Sequence, residues 1–444
     1  MSMKKIFAAF VLASGIVGLQ IAKHVFASSA QNGGDDYIVH EWGTFTDVQG
    51  GDGKLLPWRP LQTSELPGFV RGWQNPGLNR RFAGFLAGGE PFRGKGSMIT
   101  LQRLETPVMY FYSAKDLNVD VGVNFPGGLI TEWYPQATQI GPSVPLDTNA
   151  SAAATLPTSR AVWKHLLLLP QSKYHSQLQD RLPPDQPGRH YFAARKTAAD
   201  TVQMKFADGT KELGNYEKFI FYRGAGSFKT PLRVSVNARN EVVVENTGDQ
   251  PLSHLLLLAI KNGGGGFEEI ESLRPGENRI FPATEDKTSG AHRFHSIADG
   301  QAQLGIAVHA ALVSAGLFDD EAAAMINTWK DSWFAEDGVR VLYLLPRAWT
   351  DETLPLTLNP KPDKVVRVMV GRAEVITPQT EKDLSVSLAK AKAGDGAARQ
   401  QAIVDLKKLN RFAEPALQLA NRGEKSQDKL IFGFQLLSEA ESAK

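Results

Sequence analysis

Apolar and polar residues alternate with a period of two along several short segments of the chain. In residues 119–125, three valines and a phenylalanine face one way, while aspartate, glycine and asparagine face the other. This alternation predicts a strand with one buried and one solvated face. Residues 107–113 and 129–134 read as neighbouring strands, the latter after a Pro-Gly-Gly turn. Connections this short cannot hold helical crossovers, so these neighbours are predicted to be antiparallel.

A second β-rich block covers residues 190–281. Residues 232–236 and 242–245 are apolar strands on either side of a turn at 237–240, and residues 255–260 form a further strand after another turn. Turn signals recur roughly every 8–12 residues, a spacing typical of β-sandwiches.

Helical periodicity appears first in residues 319–334. Met325, Trp329 and Trp333 recur at helical spacing, so both tryptophans are predicted to face the core. An acidic pair, Asp319 and Asp320, can cap this helix because a carboxylate accepts from the unpaired N–H groups of the first turn.

The tail, residues 377–444, has a different pattern. Thr377 and Pro378 predict a helix start, because proline is favoured at the first helical position. Apolar stripes in residues 384–440 resemble one helical repeat of the HEAT type. A single repeat cannot bury its apolar face, so the tail must dock on the body or on a partner.

These patterns predict an α+β fold that is mainly β, with an antiparallel β-sandwich-like body and a C-terminal helical segment. Four segments follow: a signal peptide at 1–30, an N-terminal antiparallel β-domain at 37–160, a second β-rich domain with one amphipathic helix at 161–376, and the HEAT-like helical segment at 377–444. Hydrophobic residues make up 42% and charged residues 22%, an ordinary globular composition.

Residues 1–30 have a cationic start, an apolar run and small residues where a signal peptidase cuts. Cleavage after Ala27 or Ala30 would release an exported protein, periplasmic or secreted. Lys23 lies between the apolar run and the cut, which leaves open an uncleaved membrane anchor over residues 6–22. Only that alternative would attach the protein to a membrane.

Charge and cysteine content exclude several classes of function. The leader carries three lysines and no acid, so its removal lowers the formal charge from +2 to −1. The mature chain therefore has no basic excess for a phosphate backbone, and nucleic-acid binding is not expected. The absence of cysteine excludes disulfides, thiolate nucleophiles and cysteine-ligated zinc.

Two glycine-rich segments resemble phosphate-binding loops without meeting their requirements. Residues 89–96 nearly spell a P-loop, but Gly96 replaces the hydroxyl residue that holds magnesium, and a strand follows where a helix is needed. Residues 263–266 are four glycines before an acidic segment, which indicates a flexible hairpin loop. No nucleotide is expected, and the sequence identifies no other cofactor.

Histidines supply only weak candidates for a metal site. His292 and His295 have a spacing that would place both on one face of a helix, but the bracketing glycines argue against a helix there. His40 is a third weak candidate.

The strongest polar candidates lie beside aromatic residues or prolines at strand ends. His40 or Glu41, Glu105 and Glu132 could converge in a cleft for general acid–base chemistry, with Arg223 as an oxyanion or carboxylate clamp. His40 and Glu41 are adjacent in a strand, so they should face opposite sides of the sheet.

Aromatic residues suggest a carbohydrate platform. Trp58 and Trp73 lie in segments rich in proline and glycine, where they could be exposed for stacking. Trp133 and Tyr134 are further ligand-binding candidates, although a core position for Trp133 is the alternative.

Several segments together resemble a family of exported bacterial proteins whose activity is uncharacterised and whose hallmark is the opening motif His-Glu-Trp-Gly-Thr-Phe-Thr. The resemblance covers about residues 37–376. It implies a bacterial envelope setting, and it brings no activity, cofactor or catalytic residue with it. The segments that carry it are residues 39–46, 105–108, 131–135, 217–224 and 328–334.

Three hypotheses of function remain open, and the sequence does not decide whether the protein is an enzyme. The first is an exported binding protein whose ligand is a glycan or another envelope component. The second is a secreted hydrolase or lyase, with or without a metal, that uses the converging polar residues. The third is an assembly or scaffold factor that docks a protein partner on its helical tail.

Overall fold

The computed structural model describes residues 37–60, 66–72, 98–141, 158–186, 190–204, 215–282, 292–394 and 396–442. The predicted leader, Trp73 and the glycine-rich segment 89–96 lie outside the described residues. Within the described part of the chain, no helix is long and apolar enough to cross a membrane.

Nineteen strands account for most of the regular structure. They are β1 (Ile38–Gly50), β2 (Arg71–Gly72), β3 (Gln102–Tyr112), β4 (Leu117–Phe125), β5 (Gly128–Tyr134), β6 (Gln139–Gly141), β7 (Ser159–Leu169), β8 (Thr201–Met204), β9 (Tyr216–Glu217), β10 (Ile220–Gly226), β11 (Leu232–Val236), β12 (Glu241–Asn246), β13 (Leu252–Lys261), β14 (Gly264–Leu273), β15 (Asn278–Pro282), β16 (His292–Phe294), β17 (Gly338–Leu344), β18 (Leu356–Asn359) and β19 (Lys364–Ile376) among the described residues.

Eight α-helices and three short 3-10 helices complete the described structure. The α-helices are α1 (Gln171–Leu178), α2 (Ile297–Ser314), α3 (Asp319–Phe334), α4 (Arg347–Thr353), α5 (Pro378–Lys392), α6 (Gly396–Leu409), α7 (Ala413–Ala420) and α8 (Gln427–Ser442) in the described ranges. The 3-10 helices are Gln179–Arg181, His190–Arg195 and Asn410–Phe412.

The helix predicted at residues 319–334 forms as α3, with a different cap from the one expected. The Glu321 carboxylate accepts from the backbone N–H of Phe318 at 2.8 Å. Phe318 therefore occupies the N-cap position, and Glu321 bonds back to it. Asp320, one of the two predicted residues, accepts from the first-turn N–H of Glu321 at 2.9 Å.

The largest sheet has ten strands in the order β16-β14-β13-β17-β19-β1-β3-β10-β5-β2. Its two central strands, β1 and β19, are parallel, and every other neighbouring pair is antiparallel. A parallel pair needs a long connection, and here nearly the whole body lies between the two strands.

Consecutive strands of the first β-segment lie in different sheets. The strands β3, β4 and β5 form where they were predicted, but β4 belongs to a six-stranded sheet, β18-β4-β7-β8-β9 with β6 beside β7. The expectation that these neighbours pair with one another is therefore wrong. Alternation shows that one face of each strand is buried, and it does not determine which strand lies alongside.

One face of the ten-stranded sheet packs on the six-stranded sheet and on a three-stranded sheet, β11-β12-β15. Phe45 from β1, Val121 from β4 and Val234 from β11 are fully buried in this shared core. The mainly β, sandwich-like body predicted from alternation is thereby confirmed, with a mixed rather than purely antiparallel main sheet.

The opposite face of the ten-stranded sheet is covered by helices. Trp42 of β1 and Leu258 of β13 pack in one core with Leu304 of α2 and Met325 of α3. Strands of the main sheet thus have both faces buried, which fits their long apolar runs.

The C-terminal helices close one end of the body. Val48, Trp58 and Ile376 share a core with Leu406 of α6 and with Phe412. The predicted helical segment is confirmed, and its apolar face docks on the body.

The predicted boundary at residue 160 does not separate two structural units. It falls inside β7. The ten-stranded sheet takes β1, β2, β3 and β5 from one side of it, and β10, β13, β14, β16, β17 and β19 from the other. Strand pairing among distant parts of the chain, rather than local composition, decides the structural units.

The glycine run at residues 263–266 is a hairpin turn and strand rather than a flexible loop. Asn262 and Gly263 have φ of 53° and 84° and connect β13 to β14. A Cβ on Gly265 would lie 2.3 Å from the carbonyl oxygen of Ala259. Glycine at this position therefore permits close approach of the paired backbones.

Candidate functional site

Strand β1 directs His40 toward the helical layer. Its Nδ1 lies 2.8 Å from Oε2 of Glu321 in α3, and both side chains are fully buried. The Tyr112 hydroxyl donates to the other carboxylate oxygen at 2.7 Å, and the Phe318 ring lies 4.4 Å from the imidazole. His40 therefore connects the sheet to the start of α3.

Glu41 faces the opposite side of the sheet, as its position beside His40 predicted. It accepts from the Tyr222 hydroxyl at 2.6 Å and from Nε of Arg367 at 2.5 Å. Nη1 of Arg367 donates in turn to Asp351 at 2.8 Å. We refer to the buried residues His40, Glu321, Glu41, Tyr222 and Arg367 as the sealed cluster.

A cavity of about 280 Å³ lies further along β1, where β3 and β10 meet the C-terminal half of α3 and the 3-10 helix Asn410–Phe412. We call it the arginine cavity. Its lining includes Leu66, Arg103, Glu105, Tyr191, Arg223, Trp329, Ser332, Glu336 and Arg411.

Glu105 is the main acceptor in the arginine cavity. Nη1 of Arg411 donates to both of its oxygens, at 2.8 and 2.9 Å, and the Thr46 hydroxyl donates at 2.6 Å. Nε of Arg103 lies 3.5 Å away. Since Glu105 is only 2% exposed, these donors replace the water that it would have in solution.

The charged residues of this cavity shift one another's pKa values. Burial raises the pKa of Glu105, but attraction to Arg103 and Arg411 outweighs burial and lowers that pKa to about 2. Burial lowers the pKa of Arg103 to about 9, against the attraction of Glu105 and with repulsion from Arg223 and Arg411. Positive charge is thus concentrated around Arg103.

Arg223 reaches the cavity from β10 and is held by the neighbouring strand β5. Its Nε and Nη2 donate to the two oxygens of Glu132 at 2.8 and 3.0 Å. Burial lowers the pKa of Arg223 to about 10. Glu132 therefore orients an arginine of the cavity.

Glu336 and Asp331 are the further carboxylates in the lining. Glu336 accepts from Nη2 of Arg372 at 2.7 Å, and Nη1 of Arg372 donates to the Ser332 hydroxyl at 2.6 Å. Burial raises the pKa of Glu336, but attraction to Arg372 and Arg411 outweighs it and leaves that pKa lowered. Both of these glutamates, Glu105 and Glu336, are therefore ionised at neutral pH.

Some hydrogen-bond donors of the lining have no acceptor among the described residues. These include the buried Nε1 of Trp329 and Nε of Arg411. Trp329 is half-buried and stacks on Trp333 with ring centroids 6.1 Å apart. The cavity thus offers charged acceptors, free donors and an aromatic wall to a polar ligand.

The polar residues predicted to converge do so only in part. Glu105 and Arg223 meet in the arginine cavity, and Glu132 is bonded to Arg223. His40 lies about 20 Å from Thr46 along β1, at roughly 3.3 Å per residue, and Glu41 is on the other face of the sheet. A single cleft built from His40 or Glu41, Glu105 and Glu132 is not what the structure shows.

The aromatic candidates for an exposed platform are buried. Trp58 is 1% exposed and packs on Phe412 with ring centroids 5.7 Å apart. Trp133 is 0% and Tyr134 1% exposed, so Trp133 takes the alternative core position. The proline and glycine around Trp58 predicted an exposed loop. In the structure, the C-terminal helical segment packs over the Trp58 ring. Trp73 lies outside the described residues.

His292 and His295 do not share a helix face. His292 begins β16, where its exposed ring stacks on Phe267 with centroids 4.5 Å apart. The described residues contain no group of three or more His, Cys, Asp or Glu able to hold a metal.

Several lining residues escaped the sequence analysis. Arg103 lies two positions from Glu105, and period-two spacing could have placed both on one face of β3. Trp329 was expected in the core, but it is half-buried at the cavity wall. No local signal connects Arg411 to Glu105, because they lie 306 positions apart in the chain.

Comparison with known proteins does not identify a function for this chain. No protein-family model matches the chain, and no curated protein matches it either. A solved structure of the yeast delta-COP-I mu-homology domain complexed with a Dsl1 WxWxV peptide is similar at 6% identity and a TM-score of 0.23, over 77% of this chain and 96% of that chain. Similarity at this level carries no argument about function.

Proposed function

We propose that the protein binds a small, hydroxyl-rich ligand of the glycan class in the arginine cavity. The observation that carries this proposal is the lining itself: buried, ionised arginines and glutamates beside a half-buried tryptophan, around about 280 Å³ of space.

The chemistry of the lining matches a polyhydroxyl ligand. A hydroxyl group can donate to a carboxylate such as Glu336 and accept from a guanidinium such as Arg411 at the same time. The face of Trp329 can cover the apolar C–H surface of a sugar ring. Convergent polar groups beside an aromatic wall are the general features of a small-molecule site.

Binding is better supported than hydrolysis. A glycosidase needs one carboxylic acid whose raised pKa keeps it protonated as general acid. The pKa values of Glu105 and Glu336 are both lowered, so neither holds a proton to donate at neutral pH.

The proposed setting is the bacterial envelope, with export directed by residues 1–30. A cationic start followed by an apolar run supports export, and the resemblance of residues 37–376 to exported bacterial proteins supports the envelope. The C-terminal helices supply Arg411 to the cavity, so the tail has a part in binding as well as in folding.

Calorimetric titration of the full mature chain with a panel of neutral and acidic oligosaccharides tests the proposal. We expect at least one sugar to bind and to raise the thermal unfolding temperature. The Arg411→Gln and Trp329→Leu variants should each weaken that binding by about tenfold or more, since each removes a group used by the ligand.

Arg422→Gln is the matched control, because Arg422 is exposed on the same helical tail and pairs with Asp52 at 3.6 Å. It should bind as the wild type does. The proposal fails if no sugar of the panel binds, if bound sugar is hydrolysed, or if both cavity variants bind with wild-type affinity.

A further inference from the structure

A second cavity of about 290 Å³ shares no lining residue with the arginine cavity. It lies between α1, the 3-10 helix Gln179–Arg181 and the segment that follows His190–Arg195. We call it the lysine cavity, because Lys218 lies in its wall together with Thr197 and Arg195.

Lys218 is a buried ammonium without a paired carboxylate. Lys218 is 8% exposed, and its Nζ donates to the carbonyl oxygen of Ala199. No carboxylate of the described residues forms an ion pair with it, so two of its three N–H donors have no acceptor there. A buried charge left in this state is unfavourable unless an anion completes it.

Arg195, a second cation of the wall, is already neutralised. Arg195 donates to both oxygens of Glu217 at 2.8 and 2.7 Å and to Asp185 at 2.7 Å. Lys196 also lines the cavity, but it is exposed and its charge stays in contact with solvent. The buried positive charge that stays uncompensated in the lysine cavity is therefore that of Lys218.

A neutral donor lies in the same wall. Thr197 is 9% exposed, and among the described residues its hydroxyl has no hydrogen-bond partner. An ammonium and a hydroxyl that both lack acceptors fit an oxygen-rich anion, which has several lone pairs to offer.

The ionisation of Lys218 agrees with this arrangement. Burial lowers its pKa to about 8, although Asp200, Glu217 and Asp320 attract the charge from a distance. An anion in direct contact would reverse this shift and raise the pKa.

We propose that the lysine cavity binds a small oxyanion, a carboxylate or phosphate group, through Nζ of Lys218 and the Thr197 hydroxyl. This site is separate from the proposed glycan site, so each can be tested without the other.

NMR titration of the full mature chain labelled with ¹³C-lysine tests the proposal, with the Lys218→Met spectrum assigning the signal. The titration is run with sodium acetate, with inorganic phosphate and with sodium chloride at equal ionic strength. We expect acetate or phosphate to raise the pKa of Lys218 by about one unit or more, as an opposite charge in contact does, and chloride to leave it unchanged. A response to acetate alone assigns a carboxylate, and a response to phosphate alone assigns a phosphate group.

Calorimetry with the responding anion gives a second readout. Lys218→Met should abolish binding, Thr197→Val should weaken it several-fold, and Lys382→Met, at an exposed position of α5, should leave it unchanged. Lys218→Met removes a buried charge and should keep the chain folded. The proposal is overturned if neither anion moves the pKa of Lys218, or if Lys382→Met weakens binding as much as Lys218→Met.

Discussion

Strand β1 carries two polar clusters, and they differ in what surrounds them. The sealed cluster pairs His40 with Glu321 and Glu41 with Arg367, and these four residues are between 0% and 5% exposed. Near the other end of β1, Thr46 bonds to Glu105, which lines a cavity of about 280 Å³. Partners in the sealed cluster can only satisfy one another, whereas those around the cavity can also contact a ligand.

The contrast shows why a conspicuous motif can be structural while a less conspicuous one lines a site. His40 and Glu41 stand out in sequence as a candidate catalytic pair, yet His40 is held by Glu321 on one face of the sheet, and Glu41 is held by partners from other strands on the opposite face. Glu105 lines a cavity instead, where the tail brings Arg411 to it from a distant part of the chain.

Of the changes that test this comparison, removal of the tail should have the largest effect on the stability of the protein. Deleting residues 377–444 takes Arg411 from the arginine cavity and exposes Val48, Leu56, Trp58 and Ile376. At about 1.5–3 kcal/mol for each large side chain, the loss approaches the whole stability of a typical domain, about 5–15 kcal/mol. We expect a chain that is unfolded or aggregated by circular dichroism and gel filtration.

A shorter deletion of residues 441–444 is the control and should leave the protein folded, because the described residues among them are exposed. A body that folds with an unchanged urea midpoint without 377–444 would contradict the expectation. It would also favour a tail that serves a partner.

Breaking the sealed cluster should cause the second-largest loss of stability. Arg367→Met leaves Glu41 buried without its cation, which costs about 3–5 kcal/mol of unfolding free energy. Urea denaturation measures the loss. Arg347→Met is the matched control, since Arg347 bonds to the same Asp351 but its side chain is 47% exposed. We expect the control to cost less than about 1 kcal/mol, and equal losses would mean that Glu41 is not sealed.

The smallest expected effect depends on pH and concerns the arginine cavity. The pKa of Glu105 falls from 4.5 to about 2 on folding, so its ionised form stabilises the native state above pH 4.5. That contribution, about 3 kcal/mol at 1.36 kcal/mol per unit, is lost as the pH falls from 4.5 toward 2.

Urea unfolding tests the direction of this pH dependence. The wild type and Glu105→Gln are compared over the acid range in which both are folded. The gap in unfolding free energy should be greatest above pH 5 and should narrow at lower pH. Glu352→Gln, at an exposed position of α4, should differ from the wild type by less than about 0.5 kcal/mol throughout. A gap for Glu105→Gln that is constant with pH would show that its carboxylate is not held by Arg411 and Arg103.

Local patterns in the sequence were sufficient for several elements. Period-two alternation predicted β4 and β11, helical spacing predicted α3, and proline after a capping threonine predicted the start of α5. Adjacent positions in a strand placed His40 and Glu41 on opposite faces. Each of these features depends on residues a few positions apart, where backbone geometry fixes the relation between side chains.

Partners distant in the chain were decided by the tertiary structure alone. Alternation does not say that β1 lies beside β19, that consecutive strands β3 and β4 join different sheets, or that Trp58 lies under the tail. The arginine cavity depends on Arg411 reaching Glu105 across 306 positions. Pairing of this kind is chosen by the packing of the whole chain, because many strands and helices with the same local pattern could fill the same place.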